Sequence, residues 1–402
     1  MKVLLISNYN IVEGRGPMFR LMNMIPYLNT KCNIELCSLG KIDDVVIKMA
    51  LENKIKYYEI SYKTKGWFVK NTKEIANNII DIANQDNIDL IVLTWEIWDV
   101  AVALQNNISK CNAKLVITMH SIPFVAASIK TGNYVIDYIK KILFEPRFMI
   151  KKYLVCRIPQ VNHYMHKFNI LTMTKTVEYK LNKYFKNINL YLAYPGYATS
   201  LPLIPQNINY QYDFVYMAKF EYGKGIYEII KIMKEIKKVK PNFKLALVGD
   251  FTFKDEETKF FNRIKKFDLE NNINYLGWLD GTKKYETIIN SKIFLYPSFA
   301  GDTFSICLLE ALSCGKQIVC YNVPFVRDNF NIKTVHKIPV FKNKLFAQKA
   351  IELLKEKNYN VNESINFVKN NFSSWNKVAN AEYNAYKNIM DNKNGQTNIK
   401  RL

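Results

Sequence analysis

The chain has 402 residues, of which 49% are apolar and 23% charged. That is ordinary for a soluble globular protein and excludes a disordered chain, a collagen or a disulfide-stapled miniature. Lys and Arg total 57 against 35 Asp and Glu, a net charge of +22, which favours anionic partners unless it is only a lysine-rich bias of composition.

No apolar run is long enough to span a bilayer. Met1 leads at once into Lys2-Val3-Leu4-Leu5-Ile6-Ser7, which reads as a strand and lacks the longer apolar core and cleavage site of a signal peptide. The seven cysteines include no Cys-x-x-Cys pair and sit mostly in apolar runs, so they read as reduced core residues of a cytoplasmic protein. The histidines at 120, 163, 166 and 336 lie away from any cysteine pair, and no zinc site is expected.

In chain order the strand candidates of the first half are Val3–Ser7, Ile34–Ser38, Lys56–Ile60, Asp89–Thr94, Lys114–Met119 and Ile170–Thr174. Those of the second half are Phe214–Met217, Lys244–Val248, Ile293–Tyr296 and Gln317–Tyr321. Helical patterns separate them, which predicts parallel βαβ units. Near-continuous apolar runs such as Ile88-Asp89-Leu90-Ile91-Val92-Leu93 predict sheets covered on both faces. The alternation breaks over Tyr194-Pro195-Gly196 to Leu201-Pro202-Leu203-Ile204-Pro205. The predicted organisation is therefore an N-terminal domain over 1–198, a second domain over 199–373, a helix over 374–390 and a frayed polar tail over 391–402.

Two segments could carry chemistry. In Ile293–Pro324 a buried strand runs into a loop with Pro297, Gly301 and Asp302, then into a helix starting near Thr303–Ser305 and ending at Gly315. Free N–H groups near Phe304, Ser305 and Ile306 and the positive end of the helix dipole suit a phosphate or diphosphate. Asp302 and Glu310 could accept hydrogen bonds from sugar hydroxyls, although spacing alone favours a cap for the first and a solvated helix position for the second. In Phe214–Gly225 a strand ends in a turn bearing Lys219 and Lys224, either a cationic clamp for a diphosphate or two surface lysines.

The order of these motifs resembles the retaining glycosyltransferases of family 4, with the GT-B fold: α/β, two Rossmann-like doubly wound domains facing across a cleft. The family's Gly-Arg-Leu-x-x-x-Lys-Gly turn is similar to Ala218-Lys219-Phe220-Glu221-Tyr222-Gly223-Lys224-Gly225, and its Val-Gly-Asp/Glu-Gly turn to Val248-Gly249-Asp250. Its "phe-leu-Gly" strand is similar to Tyr275-Leu276-Gly277. Its Pro-Ser-to-Glu-Ala motif resembles Pro297-Ser298 through Glu310-Ala311, with Gly315-Lys316-Gln317-Ile318-Val319 beyond. The closing helix resembles Phe372-Ser373-Ser374-Trp375-Asn376-Lys377-Val378-Ala379. In the first half, Gly14-Arg15-Gly16-Pro17 resembles the family's glycine-rich loop and Thr118-Met119-His120-Ser121 its strand-end histidine.

The resemblance implies roles by position. Lys219 and Lys224 hold the donor's diphosphate, completed by amides over Thr303, Phe304, Ser305 and Ile306. Glu310 takes the ribose hydroxyls, Asp302 the transferred sugar and Leu279 the base by its backbone. Gly14, Gly16 and Gly249 allow close backbone approach, His120 contacts the sugar, and the helix from about Trp375 to Ile389 crosses back to the first domain. Lys219 stands in place of arginine, Asp302 of glutamate, Ser305 of glycine and Gln317 of proline. The expected reaction moves a hexosyl group from a nucleotide sugar to a glycan, glycolipid or lipid-linked saccharide, with no metal or other cofactor. The departures leave as an alternative an inactive relative that binds a sugar nucleotide or an anionic surface. No RNP, KH or zinc-finger pattern points to nucleic acid. Tyr138–Phe168 interleaves seven Lys and Arg with apolar residues, either a helix packing on the first domain or a basic face for the inner surface of an anionic membrane.

Overall fold

The structure is a computed structural model and describes residues 1–9, 15–65, 68–69, 71–94, 97–121, 160–251, 254–299, 304–356 and 360–391. The chain divides into two compact units, Met1–Ala198 with Ser374–Leu402, and Thr199–Ser373.

In the first unit the elements run β1 (Lys2–Ser7), α1 (Arg15–Asn29), β2 (Asn33–Leu39), α2 (Asp44–Glu52), β3 (Lys56–Ile60), a two-residue antiparallel pair β4 (Thr64–Lys65) and β5 (Phe68–Val69), then α3 (Thr72–Gln85). They continue as β6 (Leu90–Thr94), α4 (Trp98–Asn107), β7 (Lys114–Met119), β8 (Asn169–Thr172), α5 (Lys175–Tyr184) and β9 (Asn189–Leu192). The main sheet is parallel, in the order β3-β2-β1-β6-β7-β8-β9. Its apolar strands bury both faces, and the two-residue alternation sends neighbours to opposite sides. Leu4 and Ile6 join a core with Ile75, Ile79 and Trp98 of α3 and α4. Val3 and Leu5 join another with Met24, Ile25 and Leu28 of α1.

A last helix, α13 (Trp375–Met390), belongs to this first unit. Ser374 caps it by accepting from the Lys377 amide at 3.2 Å. Its apolar stripe of Val378, Ala379, Tyr386 and Ile389 joins the α1 side of the core, and Trp375 meets Phe19 edge to face at 5.8 Å.

The second unit contains β10 (Tyr212–Met217), α6 (Ile226–Lys237), β11 (Leu245–Val248), α7 (Lys254–Lys266), β12 (Ile273–Gly277), α8 (Gly281–Ile289) and β13 (Ser291–Tyr296). Then come α9 (Ile306–Ser313), β14 (Gln317–Tyr321), α10 (Pro324–Asn329), β15 (Val335–Ile338), α11 (Asn343–Lys355) and α12 (Val361–Asn371). Its sheet is also parallel, ordered β12-β11-β10-β13-β14-β15. The order reverses between β10 and β13, as it does between β1 and β6 in the first unit. At such a reversal the following loops diverge and leave an opening at the strands' carboxyl ends. Strands β4, β5, β9, β12 and β15 add to those predicted by apolar patterning; β4 and β5 are only two residues each, and β12 and β15 are only partly buried, so they carry little of that signal.

Candidate functional site

In the second unit the loops after β10 and β13 are laced together. The Gly223 carbonyl accepts from the Phe299 amide at 3.0 Å and from the Ser298 hydroxyl at 3.2 Å. Gly225 has φ +84°, and a Cβ there would lie 2.1 Å from the Pro297 carbonyl oxygen, so only glycine fits the crossing. The Tyr216 hydroxyl donates to the Lys224 carbonyl at 3.0 Å, fixing the backbone beneath that lysine. The turn after β11 closes on the same loop: Gly249 has φ +142°, and a Cβ would sit 1.9 Å from the Ala218 carbonyl oxygen. Lys219 and Lys224 thus project from a loop held at three places. Lys219 is not a free cation, because its ammonium lies 2.9 Å from the Glu221 carboxylate. That pair is 44% and 45% exposed, and such surface pairs contribute only about 0–1 kcal/mol, so an incoming anion can displace it.

Helix α9 begins at Ile306, later than the start near Thr303–Ser305 that the sequence suggests. The reason lies in the two preceding residues. Phe304 is anchored in an aromatic cluster with Phe325, Phe330 and Phe372, and Ser305 takes an extended N-cap conformation. The first-turn amides are therefore those of Ile306, Cys307 and Leu308 rather than of residues 304–306. The Ser305 side chain makes no capping hydrogen bond; its hydroxyl pairs with Cys307 Sγ at 2.9 Å. Burial pushes the Cys307 thiol up to about 11, while Ser305 and the Lys224 ammonium act in the opposite direction.

Glu310 is not a solvated helix residue. It is 5% exposed, and Lys284 of α8 donates to its Oε1 at 2.6 Å. Burial lowers the Lys284 pKa, but the Glu310 charge and hydrogen bond outweigh it, leaving the ammonium above its ordinary value. Lys284 has no local sequence signal, since 26 residues separate it from Glu310. Leu279 is partly buried beside Trp278, whose indole N–H donates to Asp280 at 2.6 Å.

In the first unit, Tyr9, Arg20, Thr94, His120 and Met173 line a recess at the carboxyl ends of β1, β6 and β7, where the strand order reverses. His120 Nδ1 lies 3.0 Å from the Tyr197 hydroxyl. Burial and the Arg20 guanidinium hold the imidazole down, to about 3, so it is neutral at physiological pH. Arg20 donates from Nε to the Gly196 carbonyl at 2.7 Å and pairs with Glu382 of α13; both charged side chains are nearly inaccessible. Gly16 lies in the first turn of α1 rather than in a loop, with open space around its Cβ position, so the protein itself demands no glycine there.

Gly14, Asp302 and Thr303 lie outside the described residues, as do 122–159, most of the basic segment, and the tail beyond 391. The described end of that segment packs inward, with Val161, Met165 and Phe168 fully buried. No helix among the described residues is long and apolar enough to cross a membrane, and none of their His, Cys, Asp and Glu form a cluster of three fit for a metal.

Residues 205–371 match the family described as glycosyl transferases group 1. The matched stretch lies within the second unit. No curated protein matches the chain by sequence. Among solved structures, a glycosyltransferase from Rickettsia africae aligns with TM-score 0.70 at 16% identity, covering 98% of this chain and 99% of that one. HepE of Anabaena, solved with UDP and glucose, aligns with TM-score 0.69 at 12% identity over 97% and 100%. A sucrose-phosphate synthase from Thermosynechococcus elongatus aligns with TM-score 0.69 at 14% identity over 98% and 100%. The chain therefore has the GT-B fold, and the match to the group 1 domain contains Lys219, Lys224, Gly249, Leu279 and Glu310.

Proposed function

We propose that this chain is a retaining, metal-independent hexosyltransferase that takes its sugar from a nucleotide diphosphate donor and passes it to a hydroxyl of a glycan, glycolipid or lipid-linked saccharide. The observation that carries the reading is the lacing of the Lys224 loop to the loop that leads into α9. It ties the turn that carries Lys224 to the residues that follow β13, and an ammonium group and a helix N-terminus such as that of α9 both select an anion. Charge builds up on the departing diphosphate as the glycosidic bond breaks. Lys224, Lys219 once released from Glu221, and the amides of Ile306, Cys307 and Leu308 stabilise it in the role a divalent metal plays elsewhere.

Glu310, held in place by Lys284, takes the ribose hydroxyls. The Leu279 backbone takes the base, Asp302 the transferred sugar, and His120 a sugar hydroxyl. The structural neighbour HepE, solved with UDP and glucose, supports UDP as the carrier. Retention needs no enzymic nucleophile when the acceptor attacks from the face the leaving phosphate vacates, with that phosphate taking the acceptor's proton. A cytoplasmic position against the inner membrane face, through 138–168, belongs to the same proposal. Salt-sensitive cosedimentation with anionic liposomes tests it, and no binding at low salt would remove it.

The test of the main reading is a thermal-shift screen against UDP-glucose, UDP-N-acetylglucosamine and GDP-mannose, followed by transfer of radiolabel from whichever donor stabilises the protein. Transfer that survives Lys224→Ala at full rate would contradict the assigned clamp. Stabilisation without transfer or donor hydrolysis would make the chain a sugar-nucleotide-binding relative.

A further inference from the structure

A polar chain runs through the first unit to His120 in the wall of its recess, and the transfer reading leaves all of it but His120 unused. It starts on the C-terminal helix, where Tyr386 donates to Glu382 at 2.8 Å. Glu382 pairs with Arg20 of α1, and the Arg20 Nε donates to the carbonyl of Gly196. Gly196 is pressed against β8: a Cβ on it would lie 2.2 Å from the Met173 Cβ and 2.5 Å from the Met173 carbonyl oxygen. No other residue can pass there, and with its carbonyl tied to Arg20 the backbone that carries Tyr197 has little freedom. The Arg20 guanidinium also lies 6.0 Å from the centre of the Tyr197 ring. The chain ends with the Tyr197 hydroxyl 3.0 Å from Nδ1 of His120.

A neutral imidazole has one N–H and one acceptor nitrogen, and the hydrogen bond at one nitrogen decides the state of the other. Between a phenol and a neutral imidazole the stronger pairing has the phenol as donor, because the ring nitrogen is the better base. We infer that Tyr197 is a positioning residue: its hydroxyl donates to Nδ1 of His120, fixes the Nε2–H tautomer and leaves that N–H as a donor for an oxygen ligand such as a sugar hydroxyl. Arg20 and Glu382 act one step further back, by holding the Gly196–Tyr197 backbone. The consequence for sugar binding rests on the transfer reading, but the tautomer assignment does not.

The experiment is long-range proton–nitrogen NMR of the full-length protein with labelled histidine, the His120 signals being assigned by their loss in His120→Gln. The wild type should show His120 with a bare Nδ1 and a protonated Nε2. Tyr197→Phe, which keeps the ring and removes only the hydroxyl, should show a mixture of both tautomers. A wild type with the proton on Nδ1, or a Tyr197→Phe spectrum unchanged at His120, would overturn the inference. With a donor that is turned over, Tyr197→Phe should lower kcat about three- to tenfold with little change in donor KM, and should add nothing in a His120→Gln background. An equal loss in that background would make the role of Tyr197 merely structural. If no donor is turned over the transfer reading fails, while the spectra still decide for or against Tyr197.

Discussion

Replacing Glu382 by glutamine removes one charge from a pair whose side chains are 1% and 2% exposed. Shape and one acceptor oxygen remain, so the variant isolates the electrostatics. The Arg20 guanidinium would stay buried, with only neutral acceptors, the Gly196 carbonyl and the glutamine oxygen, against it among the described contacts. Removing one member of a buried pair typically costs about 3–5 kcal/mol, because the surviving charge is left desolvated and uncompensated. The near-complete burial of both side chains puts this case within that range rather than near the much smaller value of surface pairs. The residues lie 362 apart in sequence on α1 and α13, so the loss should appear in both helices. Native-state hydrogen exchange reads it directly: amides of α1 and α13 should lose protection by roughly 100- to 4,000-fold, at about 1.4 kcal/mol per tenfold. The double variant Arg20→Met, Glu382→Leu removes both charges and should be less damaged than Glu382→Gln alone, its residual cost of about 1–3 kcal/mol coming from the abandoned Gly196 carbonyl. A Glu382→Gln protein within 1 kcal/mol of wild type by exchange, or a double variant whose loss equals the sum of the two singles, would refute the argument.

Lys224→Ala should weaken UDP binding in calorimetry by about 10- to 100-fold, the loss of one charge-assisted hydrogen bond, whereas Lys219→Ala, already engaged with Glu221, should weaken it severalfold at most. Gly225→Ala should destabilise the second unit by about 2 kcal/mol or more in denaturant titrations, because positive φ and the 2.1 Å approach to Pro297 act together. Gly16→Ala meets open space in a helix and should leave stability unchanged or raise it by up to about 1 kcal/mol; a loss of stability would show that the first turn of α1 is packed differently. His120 is neutral in the folded protein, with a pKa near 3 against 6.5 unfolded, so the unfolded chain takes up its proton first as pH falls. Its contribution should therefore be complete above about pH 6.5 and decline between 6.5 and 3, by at most about 1.4 kcal/mol per pH unit. The difference between wild type and His120→Gln in thermal unfolding across that window measures it, and a difference independent of pH would show that the imidazole is not kept neutral.

The sequence by itself determined the two doubly wound sheets. Runs such as Leu4–Ile6 and Phe294–Tyr296 are apolar on both faces, and that property belongs to a strand of a covered parallel sheet wherever it lies. It also marked the turns, because positive φ at Gly225, Gly249 and Gly315 is a local demand that only glycine meets without strain. Motif spacing drew Lys219, Lys224 and Glu310 to notice but not their surroundings. Only the tertiary structure decided that Glu310 is buried against Lys284, that Lys219 is shared with Glu221, that Phe304 is an anchor and that the helix begins after it. The same holds for Tyr197 and His120, 77 residues apart, and for Arg20 and Glu382 at opposite ends of the chain. Periodicity and turn chemistry are written within a few residues. An ion pair or a tautomer depends on which distant segments share a dry space, and that is set when the sheets close and α13 packs against α1.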